Sequence, residues 1–289
     1  MKNVDWDLYQ LFLDVARGAG LTGAASRAGL SPATIGRRML DFEQRIGRPL
    51  FLRSQTGYTL TGDGQVLFDQ LLDMEAAARK VDGWQRAAAG TAVVRVAAGT
   101  WVGWLFSQNM PALCSERDDF GLDLHIAERR ASLAHRESDI AIRAFRPEES
   151  NLAAIKTNEV AYAAYRARNV PVAGPQRFIA VAREEAVSAY LRWPHEQDDV
   201  SIALTVNRPR SLYDLVLAGA GSAVLPCFVG DLEPRLQRVG EPLESLHHGQ
   251  WTVMNNDDRH RREIRTVVDR MTRLLKSHAD LFAGKRPTY

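Results

Sequence analysis

Through the first sixty residues apolar side chains recur at intervals of three and four, the period that lays them along one face of a helix. Leu8, Leu11, Phe12 and Val15 form one such stripe, with Asp5 placed to cap the helix and Gly18 and Gly20 to end it. Thr22 is expected to cap a short second helix, TGAASRAG, whose Ala24, Ala25 and Ala28 permit close helix contact. After the turn Gly29-Leu30, Ser31 and Pro32 open a third helix as N-cap and first residue, and Gly47 and Pro49 stop it. Ile35, Met39, Phe42 and Ile46 make its apolar face; Thr34, Arg37, Arg38, Asp41 and Arg45 fall opposite. LFLRSQTGYTLT then reads as a hairpin turning at Thr56-Gly57. A long helix starts at Thr61 and ends at AAAG, with Leu67, Leu71, Met74, Ala78, Val81 and Gln85 in the four-three spacing of a two-helix seam.

From residue 91 the apolar positions gather into short runs: VVRVAAG, LDLHIAE, DIAIRAF, LAAIKT, FIAVA, SIALTV and SAVLPCFVG. Strand-sized runs separated by helical or polar stretches predict an α/β fold with largely parallel sheets. Ile264, Val267, Val268, Met271, Leu274 and Leu275 form one stripe of a C-terminal helix.

Composition narrows the picture. At 289 residues with 45% hydrophobic and 25% charged side chains, the chain has the material for two globular domains. A net charge of +2 confines any nucleic-acid surface to a local patch. In residues 1–62 the basic Lys2, Arg17, Arg27, Arg37, Arg38, Arg45, Arg48 and Arg53 outnumber Asp5, Asp7, Asp14, Asp41 and Glu43. Asp5 and Asp7 replace the apolar run of a secretory signal, and no segment is apolar over a membrane span, so a cytoplasmic protein is expected. Cys114 and Cys227 are too few for a disulfide framework and read as buried thiols. No HExxH, CxxC, P-loop or GxSxG pattern occurs. Gly219-Ala220-Gly221 reads as a turn, and His247-His248 has no third ligand nearby, so neither enzyme, cofactor nor metal is expected.

A short helix, a glycine turn and a well-capped second helix form the signature of a DNA-binding helix-turn-helix. Arg37 and Arg38 are long donors suited to a guanine edge or a phosphate, with Ala33 and Gly36 leaving room for close approach and Thr34 for a methyl or phosphate contact. Thr22 and Ser31 at the helix starts, and Arg53 and Gln55 near the hairpin tip, complete the candidate contacts to double-stranded DNA. The seam of the long helix calls for a partner, most simply a second copy.

The run GAGLTGAASRAGLSPATIGRRMLDFEQRIGRPLFLRSQTGYTLTGDG resembles the N-terminal winged helix of LysR-type transcriptional regulators. Ala24-Ala25, Leu30-Ser31, Arg37, Glu43, Leu50-Phe51, Arg53, Leu60-Thr61 and Gly64 carry the match, while Pro32 stands where many members have glutamine and Gly36 where they have serine. SDIAIR and LVLAGAGSAVLP resemble segments of the family's sensor part. The resemblance implies a winged helix-turn-helix over residues 1–62, a linker and dimerisation helix over 63–90, and an effector domain over 91–289 like a periplasmic binding protein. Its two α/β subdomains would comprise residues 91–158 with 236–289, and 159–235, with hinges near Thr157 to Val160 and Gly230 to Leu236. It implies a homodimer, paired again into a tetramer, and a small-molecule effector between the subdomains. On that placement Thr100 and Trp101, Arg143, Asn207, Arg208, Ser211 (also a candidate helix cap) and Phe228 are the candidate effector contacts. Arginines facing the cleft would favour an acidic metabolite, because guanidinium grips carboxylates in a fork. A constitutive architectural DNA-binding protein with a degenerate sensor is the alternative.

Overall fold

A computed structural model describes residues 5–18, 20–54, 57–88, 92–128, 138–170 and 176–285; Lys2, Gln55 and Thr56 lie outside them. The chain divides into two compact units, Met1–Asp82 and Gly83–Tyr289. In the first, α1 (Trp6–Arg17), α2 (Leu21–Ala28) and α3 (Pro32–Ile46) precede the antiparallel pair β1 (Phe51–Ser54) and β2 (Gly57–Leu60), and α4 (Gly62–Ala88) follows. The apolar stripes converge on a core of Leu11, Phe12, Val15, Ala24, Ile35, Met39, Phe42 and Phe51, closed by Leu71 and Leu72 of α4.

The caps divide into those that side chains make and those that backbone makes. Ser31 Oγ accepts from the Thr34 N–H at 3.2 Å, and Gly47 takes φ 76° to end α3, a left-handed conformation that other side chains rarely adopt. Asp5 sits at the N-cap of α1 without a side-chain bond, and only its carbonyl accepts, from Leu8 N–H. Thr22 does not cap α2, which begins one residue earlier behind Gly20. Thr61 does cap the long helix: its hydroxyl accepts from Gly64 N–H at 2.9 Å and donates to the Pro49 carbonyl at 2.7 Å. A Cβ at Gly64 would lie 2.1 Å from the Leu50 carbonyl oxygen, so only glycine lets α4 start against the hairpin.

The second unit contains β3 (Ala92–Ala98), α5 (Thr100–Gln108), α6 (Met110–Leu113), β4 (Phe120–Ile126), β5 (Ile140–Arg143) and β6 (Leu152–Val160). There follow β7 (Tyr162–Ala167), β8 (Arg177–Val181), α7 (Ala189–Arg192), β9 (Ser201–Val206), α8 (Pro209–Leu217), β10 (Ala223–Pro226), α9 (Cys227–Gly230) and β11 (Leu236–Val239). The chain ends with β12 (His248–Asn255), α10 (Arg262–Ser277) and α11 (Ala279–Phe282). A first lobe is built on the sheet β4-β3-β5-β12-β6, in which β3, β4 and β5 run parallel and β12 antiparallel to both neighbours. A second lobe has β10-β7-β11 antiparallel, with the parallel pair β8-β9 joined to it through a bridge from Phe178 to Ser222.

The sheets are therefore mixed, not largely parallel. The strands missed by sequence are β7, β11 and β12. Tyr162-Ala163-Ala164-Tyr165 of β7 lacks β-branched residues, and β12 buries Gln250, Thr252 and Asn255, which breaks the apolar signal. The return to the first lobe also falls later than residue 236, because β11 pairs with β7. Leu236 is buried there, and the buried Arg238 guanidinium is neutralised by Asp231 and bonds the Gly284 carbonyl at 2.8 Å. The first crossing runs from Val160 through Ala161 to Tyr162; Ala161 donates to the Phe282 carbonyl and accepts from Cys227 N–H. Cys114 and Cys227 are free thiols. Among the described residues no helix is long and apolar enough to cross a membrane.

Ile264, Val267, Val268, Met271 and Leu275 of α10 are buried against the first lobe, and Leu274 is partly buried. Asp118 fixes that helix: it accepts from both Nη atoms of Arg270 at 2.7 and 2.8 Å and from Ser115 N–H at 2.8 Å. The guanidinium beside it holds the Asp118 carboxyl well below the usual carboxylate range. A carboxyl depressed on folding stabilises the protein above its unfolded pKa and loses that contribution as pH falls. Asp118→Asn should cost about 1–3 kcal/mol at neutral pH. Denaturation titrations from about pH 5 downward should show the gap to wild type closing, since the unfolded carboxyl protonates near 4.

Candidate functional site

The outer face of α3 presents Ser31, Ala33, Arg37, Arg38, Asp41 and Arg45 to solvent, with Thr34 half-buried. Four other arginines of this unit are committed: Arg17 to Glu75, Arg27 to Asp14, Arg48 to Asp63 and Arg53 to Glu43. Among the described residues Arg37, Arg38 and Arg45 have no ion-pair partner. The positive charge of the patch is thus concentrated on one helix face. Gly36 does not belong to that face; a Cβ there would lie 3.3 Å from Leu21 Cδ1, so it serves the contact with α2. Thr22 is exposed in the first turn of α2, and Gln55 lies outside the described residues.

Glu43 sets the hairpin against α3. Its buried Oε1 accepts from Leu50 N–H at 2.7 Å and Phe51 N–H at 3.0 Å, and Oε2 pairs with Arg53. Arg53 also lies over the Tyr58 ring, 5.5 Å from its centroid. This arginine, expected at a phosphate, is turned toward its own fold. Burying a carboxylate requires such donors, and these come from the chain just after the α3 stop.

The second unit encloses a cavity of about 610 Å³ lined from both lobes. It gathers four of the sequence candidates, Thr100, Trp101, Arg143 and Phe228. Trp101 is buried and donates from Nε1 to the Tyr190 hydroxyl at 3.0 Å; Arg143 is buried and meets Glu149 at 3.4 Å; Phe228 stacks on Phe282 with centroids 3.9 Å apart. Asn207, Arg208 and Ser211 do not line it. They follow β9, the strand at the free edge of the second lobe, while the cavity opens by β7 and β10. Ser211 does not cap α8 either, because the helix starts at Pro209 behind Arg208.

Among the lining residues that sequence reasoning missed are His125, Glu128, Ser138, Tyr162, Ser188, Tyr190, His248 and Gln250. Tyr162 and Tyr190 stack at 5.0 Å, and the Tyr162 hydroxyl and His248 Nε2 are 3.3 Å apart. Burial, with Glu128 nearby, pushes both tyrosine hydroxyls well above their ordinary pKa, so they stay protonated. Glu128 Oε1 accepts from Thr100 N–H at 3.0 Å and Oε2 from the Ser188 hydroxyl at 2.7 Å. One signal could have located it: Glu128 follows a parallel strand, the end at which such sheets bind ligands. Among the described residues no cluster of His, Cys, Asp and Glu could hold a metal ion.

Residues 6–65 match the family model for "Bacterial regulatory helix-turn-helix protein, lysR family". The chain is 27% identical over 238 residues to the HTH-type transcriptional regulator PtxR of Pseudomonas aeruginosa, covering 75% of each protein. Its fold is that of CbnR, a LysR family transcriptional regulator, at 17% identity and a TM-score of 0.58 over 94% of this chain and 100% of that one. CbnR solved in complex with its target DNA gives the same figures. ArgP of Mycobacterium tuberculosis is similar at 16% identity and a TM-score of 0.56, over 94% and 98%.

The Glu43 bonds generate a prediction about the hairpin. Glu43→Ala should leave the Leu50 and Phe51 amides unpaired, at a cost of about 2 kcal/mol. Hydrogen exchange at those two amides should quicken about thirtyfold relative to the α3 core.

Proposed function

The chain belongs to the LysR-type DNA-binding transcriptional regulators, and from that premise we propose that α3 reads the major groove through Arg37 and Arg38 while the cavity of the second unit takes a small-molecule effector. It is a regulator of transcription and not an enzyme. The concentration of partnerless arginines on the outer face of α3 carries the assignment of contacts. A guanidinium already held by a carboxylate has lost much of its pull on phosphate, whereas one facing water has not. Ser31, Ala33 and Thr34 stand at the N-terminal end of the same helix, where a docked helix meets base edges. Thr22 on α2 is suited to the flanking backbone. Arg53 is assigned to positioning the hairpin through Glu43, and Gln55 to the hairpin's contact with DNA.

The effector assignment is supported by the size of the cavity, within the range of small-molecule sites, and by its apolar walls with a few convergent polar groups. Thr100, Trp101, Arg143 and Phe228 are the proposed contacts. A cavity of this volume favours a working sensor over a degenerate one. Binding between the lobes would bias their closure and so the equilibrium of DNA-bound states. A homodimer is proposed through α4, whose seam is buried at Leu71 but exposed at Met74, Ala78 and Val81. Pairing of dimers into a tetramer, and residence in the cytoplasm where the DNA lies, complete the reading.

The test is genome-wide mapping of the DNA the protein binds in its host, followed by gel-shift titration on a recovered site at fixed salt. Arg37→Ala should weaken binding about tenfold to a hundredfold, the worth of one base or phosphate contact, and leave dimerisation intact. Unchanged affinity would remove Arg37 from the interface.

A further inference from the structure

α5 starts at Thr100 behind Gly99, so its first turn has no capping side chain of its own. Its N–H groups and the positive end of the helix dipole face the cavity, the arrangement that attracts an anion. The structure fills that position from within. Glu128 Oε1 takes the Thr100 N–H at 3.0 Å, and its other oxygen takes the Ser188 hydroxyl at 2.7 Å. Thr100 and Glu128 belong to the first lobe, Ser188 to the second. Ser188 stands at the N-cap of α7 yet makes no cap bond; its hydroxyl is spent on Glu128. Beside them the Trp101 Nε1–H of the first lobe donates to the Tyr190 hydroxyl of the second.

We infer that Glu128 is a resident carboxylate that occupies the anion position of α5 and clasps the two lobes, so that the cavity takes a non-acidic ring compound with a hydrogen-bond donor at this end. An ionised carboxylate only accepts, so the ligand group that meets it must donate. A ligand acid placed there would face a like charge and find the helix N–H already used. Of the two arginines expected to grip an acid, Arg208 lies away from the cavity, and Arg143, which lines it, is engaged by Glu149 at 3.4 Å. The remaining walls combine aliphatic side chains such as Val102, Ile142 and Leu246 with the rings of Trp101, Tyr162, Tyr190 and Phe228, which suit a flat apolar body. The ligand class rests on the effector reading above; the clasp does not.

The full chain is titrated by calorimetry and thermal shift with acetate and with benzoate, benzamide and benzyl alcohol, as wild type, Glu128→Ala and Glu128→Gln. Glu128→Ala should melt below wild type, and acetate should restore it by filling the vacated position, without effect on wild type or Glu128→Gln. Benzamide or benzyl alcohol should bind the wild type more tightly than benzoate does, and benzoate should gain about tenfold in Glu128→Ala, the worth of one charge-assisted hydrogen bond. Glu128→Gln, which keeps the shape and loses the charge, should also admit benzoate better and guards against misfolding of the alanine variant. Benzoate binding wild type as well as the variants, or Glu128→Ala melting as wild type without response to acetate, would overturn the assignment. Acetate rescue with no ring compound bound to any variant would uphold the clasp and overturn the effector reading, with the ligand class.

Discussion

A carboxylate withdrawn from water has to be met by donors, and in this chain that requirement joins parts that the backbone leaves separate. Glu43 takes two N–H groups and a guanidinium from the strand that follows its helix, so the angle between α3 and the hairpin follows from one side chain. Glu128 takes an N–H from one lobe and a hydroxyl from the other. Glu43, buried, behaves as a pin that is stable only while its donors converge; Glu128, half-buried, ties its donors together at the edge of the cavity. Glu43 closes a contact within one core, whereas Glu128 joins two lobes beside the cavity they line.

That cavity exists because of how the chain crosses between sheets. It passes once at Ala161 and returns only after β11, so the lobes share two covalent links and a seam of aromatic contacts. Trp101 and Trp104 reach Tyr213 with centroids 6.5 and 6.2 Å apart, and Tyr190 receives the Trp101 N–H. Ring contacts of this kind are worth about 1 kcal/mol each, so they hold the lobes together only modestly. A ligand that touched both walls would act on the same contacts.

In the first unit the division of labour among arginines is electrostatic. Four are neutralised by carboxylates and hold α1, α2, α4 and the hairpin in place. Three on α3 keep their charge for what lies outside. The modest excess of basic residues understates the surface, because much of it is cancelled internally and the remainder is gathered on one helix.

The sequence by itself determined the helices of the first unit, since short-range period, Ser31 with Pro32, and Gly47 act within a few residues and need no distant partner. It also determined the family of the winged helix and the α/β texture beyond it. In the cavity it reached Thr100, Trp101, Arg143 and Phe228, which adjoin recognisable strand ends. Only the tertiary structure decided that β7, β11 and β12 make the sheets mixed, because Tyr, Ala, Gln and Thr are strand residues there by virtue of the neighbours that bury them. It alone set Gly36 against α2 and paired Arg53 with Glu43, placed Asn207, Arg208 and Ser211 after the edge strand β9, and brought Glu128 to Ser188, sixty residues away. Period and capping are local forces that a sequence displays; the donors that satisfy a buried charge come from wherever the fold delivers them.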